Sequence, residues 1–335
     1  MFAKITAISS YLPPTVEENK NFVEERTIDK LGIFERHVVT TESAGDLAFN
    51  AAEKLFAEYQ IDRAEIDFIL LCVQHPDFQT PHTSAHLQDR LNLPKSVGTM
   101  DISLGCSGYI YGLATAKGFI ETGLAKKILF ITSSVYTKYI NVKDFSTRAV
   151  FGDGATATLI EAADGDKEFL SAFVFGSDGS KFDKLYIPVG GSKFPPRENP
   201  EIFSFDENKN YRSNYEVHMD GGAVAYFTLH EVPKMVEEIL KKAELTRADL
   251  DFCIFHQANK MILEYVQKKA ELEGVPFFND IKFVGNLISG SVPFAIEQVI
   301  KNFDAAKLKK VLLAGFGVGF SWAGCIADLS SLKKS

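Results

Sequence analysis

Two stretches of this chain read almost alike. Residues 61–70 are IDRAEIDFIL and residues 245–254 are LTRADLDFCI. Each follows an amphipathic helical pattern, AGDLAFNAAEKLFAEY in one case and VPKMVEEILKKAE in the other, and each runs into an apolar strand. A second echo stands at nearly the same offset, KKILFI at 126–131 and KKVLLA at 309–314. A period close to half the chain means two copies of one unit, not a solenoid. Helices alternating with apolar strands predict α/β layers around mostly parallel sheets. The expected division falls at 1–165 and 166–335, and 335 residues suffice to give both copies a core.

Between the echoes each copy has a Gly/Ser turn that opens a helix, GCSGYIYGLATAKGFIETG in the first and ISGSVPFAIEQVIKNF in the second. In this register Cys106 faces Ser289, and only the first copy has a thiol at this position. Cys106 sits on a strand-to-helix turn with small neighbours. A helix N-terminus there is expected to lower the thiol's pKa and favour the nucleophilic thiolate. Cys72, Cys253 and Cys325 lie inside apolar runs and read as small buried hydrophobes. The second copy adds two polar residues at predicted strand ends. His256 closes DFCIFH, and Asn286 follows the predicted strand IKFVG. Chemistry in α/β sheets gathers at the carboxyl ends of strands, so Cys106, His256 and Asn286 form the candidate site.

These residues carry a family resemblance. GCSGYIYGL, VFGDGATA (150–157), HQAN (256–259), GNLISGSVP (285–293) and FGVGFSWAG (316–324) stand in order and spacing. With them the chain resembles the β-ketoacyl-acyl carrier protein synthase III group of the thiolase superfamily, from about residue 5 to residue 328. The resemblance implies a duplicated five-layer αβαβα fold and a homodimer. It also implies a decarboxylative condensation of an acyl thioester with a malonyl-acyl carrier protein. It assigns Cys106, His256 and Asn286 as catalytic residues, and the backbone N–H groups of Cys106 and Val318 as an oxyanion hole. It places Thr80 and Phe316 at the acyl pocket, and Lys260 and Met261 where the carrier protein docks. Acyl-CoA and acyl carrier protein are the implied substrates, with no permanently bound cofactor.

Several positions depart from the family pattern. Gly317-Val318-Gly319 replaces the usual Gly-Gly-Gly, and a β-branched residue is ill suited to positive φ. The adenine-stacking Trp has no counterpart, with Arg26 near its place, and Phe145 stands where the usual Asp-Arg pair has its Arg. A carrier protein is therefore a fair alternative to acyl-CoA as donor. Thr80 replaces a common Phe at the pocket floor, which predicts acceptance of acyl chains longer than acetyl. Met261 replaces a common docking Arg.

Other signals exclude or add little. A net charge of −8 without a basic run argues against nucleic acid. No window has the apolar length of a membrane span, and MFAKITAISS reads as a first strand rather than a signal peptide. Four unpatterned cysteines suit a reducing cytoplasm. His82 and His86 could face one metal but lack a third ligand. The Gly- and Pro-rich stretch 176–216 reads as an active-site or dimer-edge loop. Two rivals stay open: a Cys-His-Asn hydrolase, and a specialised or paired synthase-like subunit that uses another acceptor.

Overall fold

A computed structural model describes residues 1–207 and 209–334. Its first sheet is built from β1 (Phe2–Tyr11), β2 (Phe68–Cys72), β3 (Gly98–Ile102), β4 (Lys127–Ser134) and β5 (Gly154–Ala163), in the order β1-β5-β4-β2-β3. The second sheet uses β6 (Leu170–Ser177), β7 (Phe252–Phe255), β8 (Val311–Gly317) and β9 (Ser321–Ala327), in the order β7-β8-β9-β6. Both sheets are mixed. β2 runs parallel to β3 and β4, and β7 runs parallel to β8, while the other pairs are antiparallel. The counterpart of β3 in the second sheet is reduced to a parallel bridge between Cys253 and Phe277.

The helices are α1 (Glu25–Leu31), α2 (Ala44–Tyr59), α3 (Thr83–Arg90), α4 (Gly108–Glu121), α5 (Phe145–Arg148), α6 (Gly221–Ala243), α7 (Lys260–Lys269) and α8 (Ser291–Asn302). The long ones sort into three layers. α4 and α8 are wedged between the sheets, where Ile110, Leu113, Ile296 and Val299 join Phe130 and Ile254 in one core. α2 and α3 cover the outer face of the first sheet, and α6 and α7 the outer face of the second. The result is the expected αβαβα stack. Strand residues alternate between these layers with period two: Ile128 and Phe130 of β4 face the middle helices, and Leu129 and Ile131 face α2. Both faces are buried, which is why the strands read as unbroken apolar runs.

The repeated letters do the same work twice. The Asp67 carboxylate accepts from the N–H groups of Lys126 and Lys127, at 2.7 and 2.9 Å. Asp251 accepts from those of Lys309 and Lys310, at 2.9 and 2.8 Å. Arg63 donates to the carbonyl of Leu91 after α3, and Arg247 to that of Ala270 after α7. Phe68 pairs with Ile128 as Phe252 pairs with Val311, so Cys72 and His256 occupy matching places four residues further on.

Two expectations need correction. Ile281–Gly285 is a turn, not a strand: the N–H groups of Val284 and Gly285 both donate to the Ile281 carbonyl. Gly285 at φ +77° then packs against Gly152 and Arg36, where a side chain has no room. The stretch 176–216 is also less irregular than its composition suggests. Phe203–Phe205 pairs with Tyr211–Ser213, and Leu185–Tyr186 pairs with His218–Met219.

Candidate active site

Cys106 lies four residues beyond β3 and two before the first residue of α4. It is buried, at 4% exposure. The second copy's hairpin β8–β9 covers it: a Cβ added at Gly317 would stand 2.6 Å from the Cys106 Sγ. Burial pushes the thiol up to about 11, against the N–H groups of Val318 and of Cys106 itself, which favour the thiolate. The lowered pKa expected from the helix terminus is therefore overturned, because desolvation outweighs the nearby dipoles. Val318 escapes the conflict foreseen for it. Positive φ falls on Gly317 and Gly319, while Val318 is free of it and rests its side chain in the space that Gly105 leaves. Cys72, Cys253 and Cys325 are fully buried, and burial raises all three.

His256 follows β7 directly, and its N–H donates to the Ala314 carbonyl of β8 at 2.7 Å. Its ring is buried, packed edge-on against Phe316 with centroids 5.6 Å apart. Burial holds it down at about 3, opposed only by the Ile288 carbonyl, so the imidazole is neutral across the physiological range. Nδ1 lies 2.7 Å from the Ser291 Oγ. Asn286 is anchored to the VFGDG motif by a bridge to Phe151, with its N–H on the Val150 carbonyl at 2.9 Å. Its Oδ1 accepts from the Ile288 N–H at 2.8 Å, which fixes the amide and turns Nδ2 toward His256 Nε2, 3.5 Å away. That separation is long for a hydrogen bond between the two and suits two groups facing one spot.

Cys106, His256 and Asn286 line one cavity of about 390 Å3. Phe316 and Met261 line it as well, and Lys260 is exposed beside Met261 at the start of α7. Thr80 does not: it sits on an exposed turn before α3, outside the cavity of its own chain, so the pocket-floor expectation has no support within one chain. Phe145 packs beside Phe22, with centroids 6.1 Å apart, and Arg148 lies over Phe22 while pairing with Glu17. Arg26 is exposed on α1. His82 Nε2 meets the Thr99 Oγ1 at 2.9 Å, and among the described residues no acidic, His or Cys cluster could hold a metal. Sequence reasoning missed Leu185, Asn210 and Met219, which the 176–220 region folds into the cavity wall, and Ser291, which touches the His256 ring. Ser291 was within reach, since the repeat sets it against Gly108.

Family models match both halves of the chain. That for 3-oxoacyl-[acyl-carrier-protein] synthase III matches residues 100–179, and that for its C-terminal part matches residues 240–329. The chain is 36% identical over 332 residues to a β-ketoacyl-[acyl-carrier-protein] synthase III of Koribacter versatilis, covering 95% of each. A second relative of that name, from Staphylococcus epidermidis, is 33% identical over 333 residues, covering 97% of this chain and 98% of its own. A crystal structure of a 3-oxoacyl-(acyl-carrier-protein) synthase III superposes with a TM-score of 0.94 at 36% identity, over 98% of this chain and all of that one. With its duplicated five-layer fold and its cysteine, histidine and asparagine on one cavity, the chain belongs to the β-ketoacyl-acyl carrier protein synthase III family.

Proposed function

We propose that this protein is an acyltransferase that condenses a Cys106-bound acyl group with a malonyl-acyl carrier protein, releasing carbon dioxide. The observation that carries the reading is the pair of nitrogens His256 Nε2 and Asn286 Nδ2. They stand 3.5 Å apart on the cavity that Cys106 lines, each with its other polar atom already engaged. In the first half-reaction Cys106 Sγ bonds to the acyl carbon of a thioester, the donor's C–S bond breaks, and the thiol proton ends on the departing thiol. In the second, the malonyl carboxylate leaves as carbon dioxide and its electron pair moves into an enolate. Two donors aimed at the enolate oxygen lower the barrier by about 2.7–4 kcal/mol each. The carbanion carbon then bonds to the acyl carbon. The N–H groups of Cys106 and Val318 hold the oxyanion until it collapses and expels the Cys106 sulfur as thiolate, which takes up a proton from solvent to restore the thiol.

No step calls for a permanently bound cofactor. Phe145 and the engaged Arg148 leave both acyl-CoA and acyl carrier protein as donors, and Lys260 with Met261 remains the docking assignment for the carrier. A homodimer belongs to the reading. Among the described residues nothing pairs with the outer edge of β3, and Met100 and Ile102 on it are only half-buried, a combination that favours pairing with a second copy. The two catalytic halves are taken as 1–165 and 166–335. Four free, buried cysteines support a reducing, cytoplasmic setting. Among the described residues no helix is long and apolar enough to cross a membrane.

A hydrolase would use Asn286 to accept from the His256 N–H that points away from the thiol. Here Oδ1 is taken by Ile288 and the amide nitrogen faces the ring, so the hydrolase reading is disfavoured. Intact-protein mass spectrometry with acyl-CoA and acyl-carrier donors should show one acyl group on Cys106. His256→Ala should keep that adduct while losing malonyl decarboxylation by about 100- to 1000-fold. Absence of an adduct from every donor would sink the proposal, and loss of acylation alone would return the hydrolase.

A further inference from the structure

The Ser291 hydroxyl is the closest polar neighbour of the catalytic imidazole, and its surroundings restrict where its proton can go. Its oxygen lies 2.7 Å from His256 Nδ1, 2.9 Å from the Ile288 carbonyl and 3.3 Å from the Gln257 N–H. The Gln257 N–H can only donate, so it takes one lone pair of the oxygen. Two arrangements remain. Either the hydroxyl donates to Nδ1 and the ring carries its proton on Nε2, or it donates to Ile288 and Nδ1 carries the ring proton, facing the hydroxyl and the Ile288 carbonyl. The Ile288 carbonyl does not depend on the hydroxyl, since the backbone N–H of Ser291 already donates to it. Nε2 also has no close donor: Asn286 Nδ2 stays 3.5 Å off. The first arrangement partners the hydroxyl, Nδ1 and the N–H groups of Gln257 and Ser291, and leaves Nε2–H to point into the cavity.

The duplication supplies an internal control. Cys72 occupies the place of His256 and Gly108 the place of Ser291. In that copy a Cβ at Gly108 would meet the Cys72 Sγ at 2.3 Å, so no side chain fits there. The hydroxyl occurs in the copy that holds the imidazole. Ile288, between the two donors, is a β-branched residue held at φ +56°, a conformation that persists only where its surroundings impose it. Its N–H holds Asn286 and its carbonyl takes the Ser291 N–H, so one short turn aligns the whole pair.

We infer that Ser291 is a positioning residue that donates to His256 Nδ1 and thereby sets the Nε2–H tautomer, making the imidazole a second hydrogen-bond donor beside Asn286. The inference rests on the condensing reading for its purpose but not for its test. Selectively 15N-labelled histidine gives tautomer signals by NMR, with His256 identified by its loss in His256→Ala. The wild type should show Nε2–H. Ser291→Ala should shift the ring toward Nδ1–H and lower malonyl decarboxylation about 10- to 100-fold, at least ten times more than Cys106 acylation. Ser291→Thr, which keeps the hydroxyl, should return decarboxylation to within about threefold of wild type. Thermal melting of both variants identifies misfolding, in which case the threonine variant alone decides. An Nδ1–H signature in the wild type, or decarboxylation unchanged in folded Ser291→Ala, overturns the assignment. If the wild type decarboxylates no malonyl thioester, the condensing reading fails while the NMR signature still decides the role of Ser291.

Discussion

At neutral pH the Cys106 thiol keeps its proton, because burial costs the thiolate more than two N–H groups return to it. The site therefore has no thiolate–imidazolium pair: His256 is neutral, held at about 3 by its own burial. The signs give a distinctive pH profile. Below a thiol pKa of about 11 the reactive fraction rises with pH, so single-turnover acylation should climb about tenfold per unit between pH 7 and 9. Malonyl decarboxylation should stay flat from pH 5 to 8, since the His256 ring does not titrate there. A limb near pH 6.5 in decarboxylation would show a charged His256 and refute this account. The turn that carries Cys106 was legible in LGCSG, as were His256 and Asn286. The protonation state was not, because desolvation comes from tertiary packing: Gly317 closes on the sulfur, and Tyr136, Phe151 and Ile288 join Cys106 in one buried cluster.

The element that sets the surroundings of Cys106 is the β8–β9 hairpin, reaching over from the other copy. Cβ atoms added at Gly315 and Gly317 would meet the Cys106 carbonyl oxygen at 2.7 Å and its Sγ at 2.6 Å, and Ser321 Oγ lies 2.7 Å from Ser107 Oγ. Gly317→Ala must push the hairpin or the thiol aside by a fraction of an ångström to an ångström. A displacement of that size should lower acylation about 100-fold with little change in melting temperature. Rate measurements beside a thermal melt check this, and near-normal acylation would show the contact to be slack. The sequence marked Gly-x-Gly-x-Gly as a loop near the chemistry, but the fit of glycine to sulfur is a tertiary fact. The Ile281–Gly285 strand failed for a similar reason: its apolar letters serve a turn whose shape is set by Gly152 and Arg36.

At the scale of the molecule, the repeat made the architecture legible before any coordinates, because Asp67 and Asp251, Arg63 and Arg247 serve identical local structures. What it could not convey is how far the two copies share one interior. α4 packs on strands of both sheets, and so does α8. A protease site placed in the exposed turn 164–168, between β5 and β6, should thus yield two fragments that co-elute as one particle and still acylate Cys106. Either fragment expressed alone should aggregate, and separation of the nicked halves in native buffer would contradict a shared core. All four cysteines are buried, Cys72 and Cys325 in that shared core, Cys253 under the outer helices and Cys106 at the cavity, each with its thiol held protonated. Peroxide and alkylating agents attack thiolates, so they find almost none on the folded chain. The burial that holds Cys106 protonated thus also protects its sulfur from oxidants.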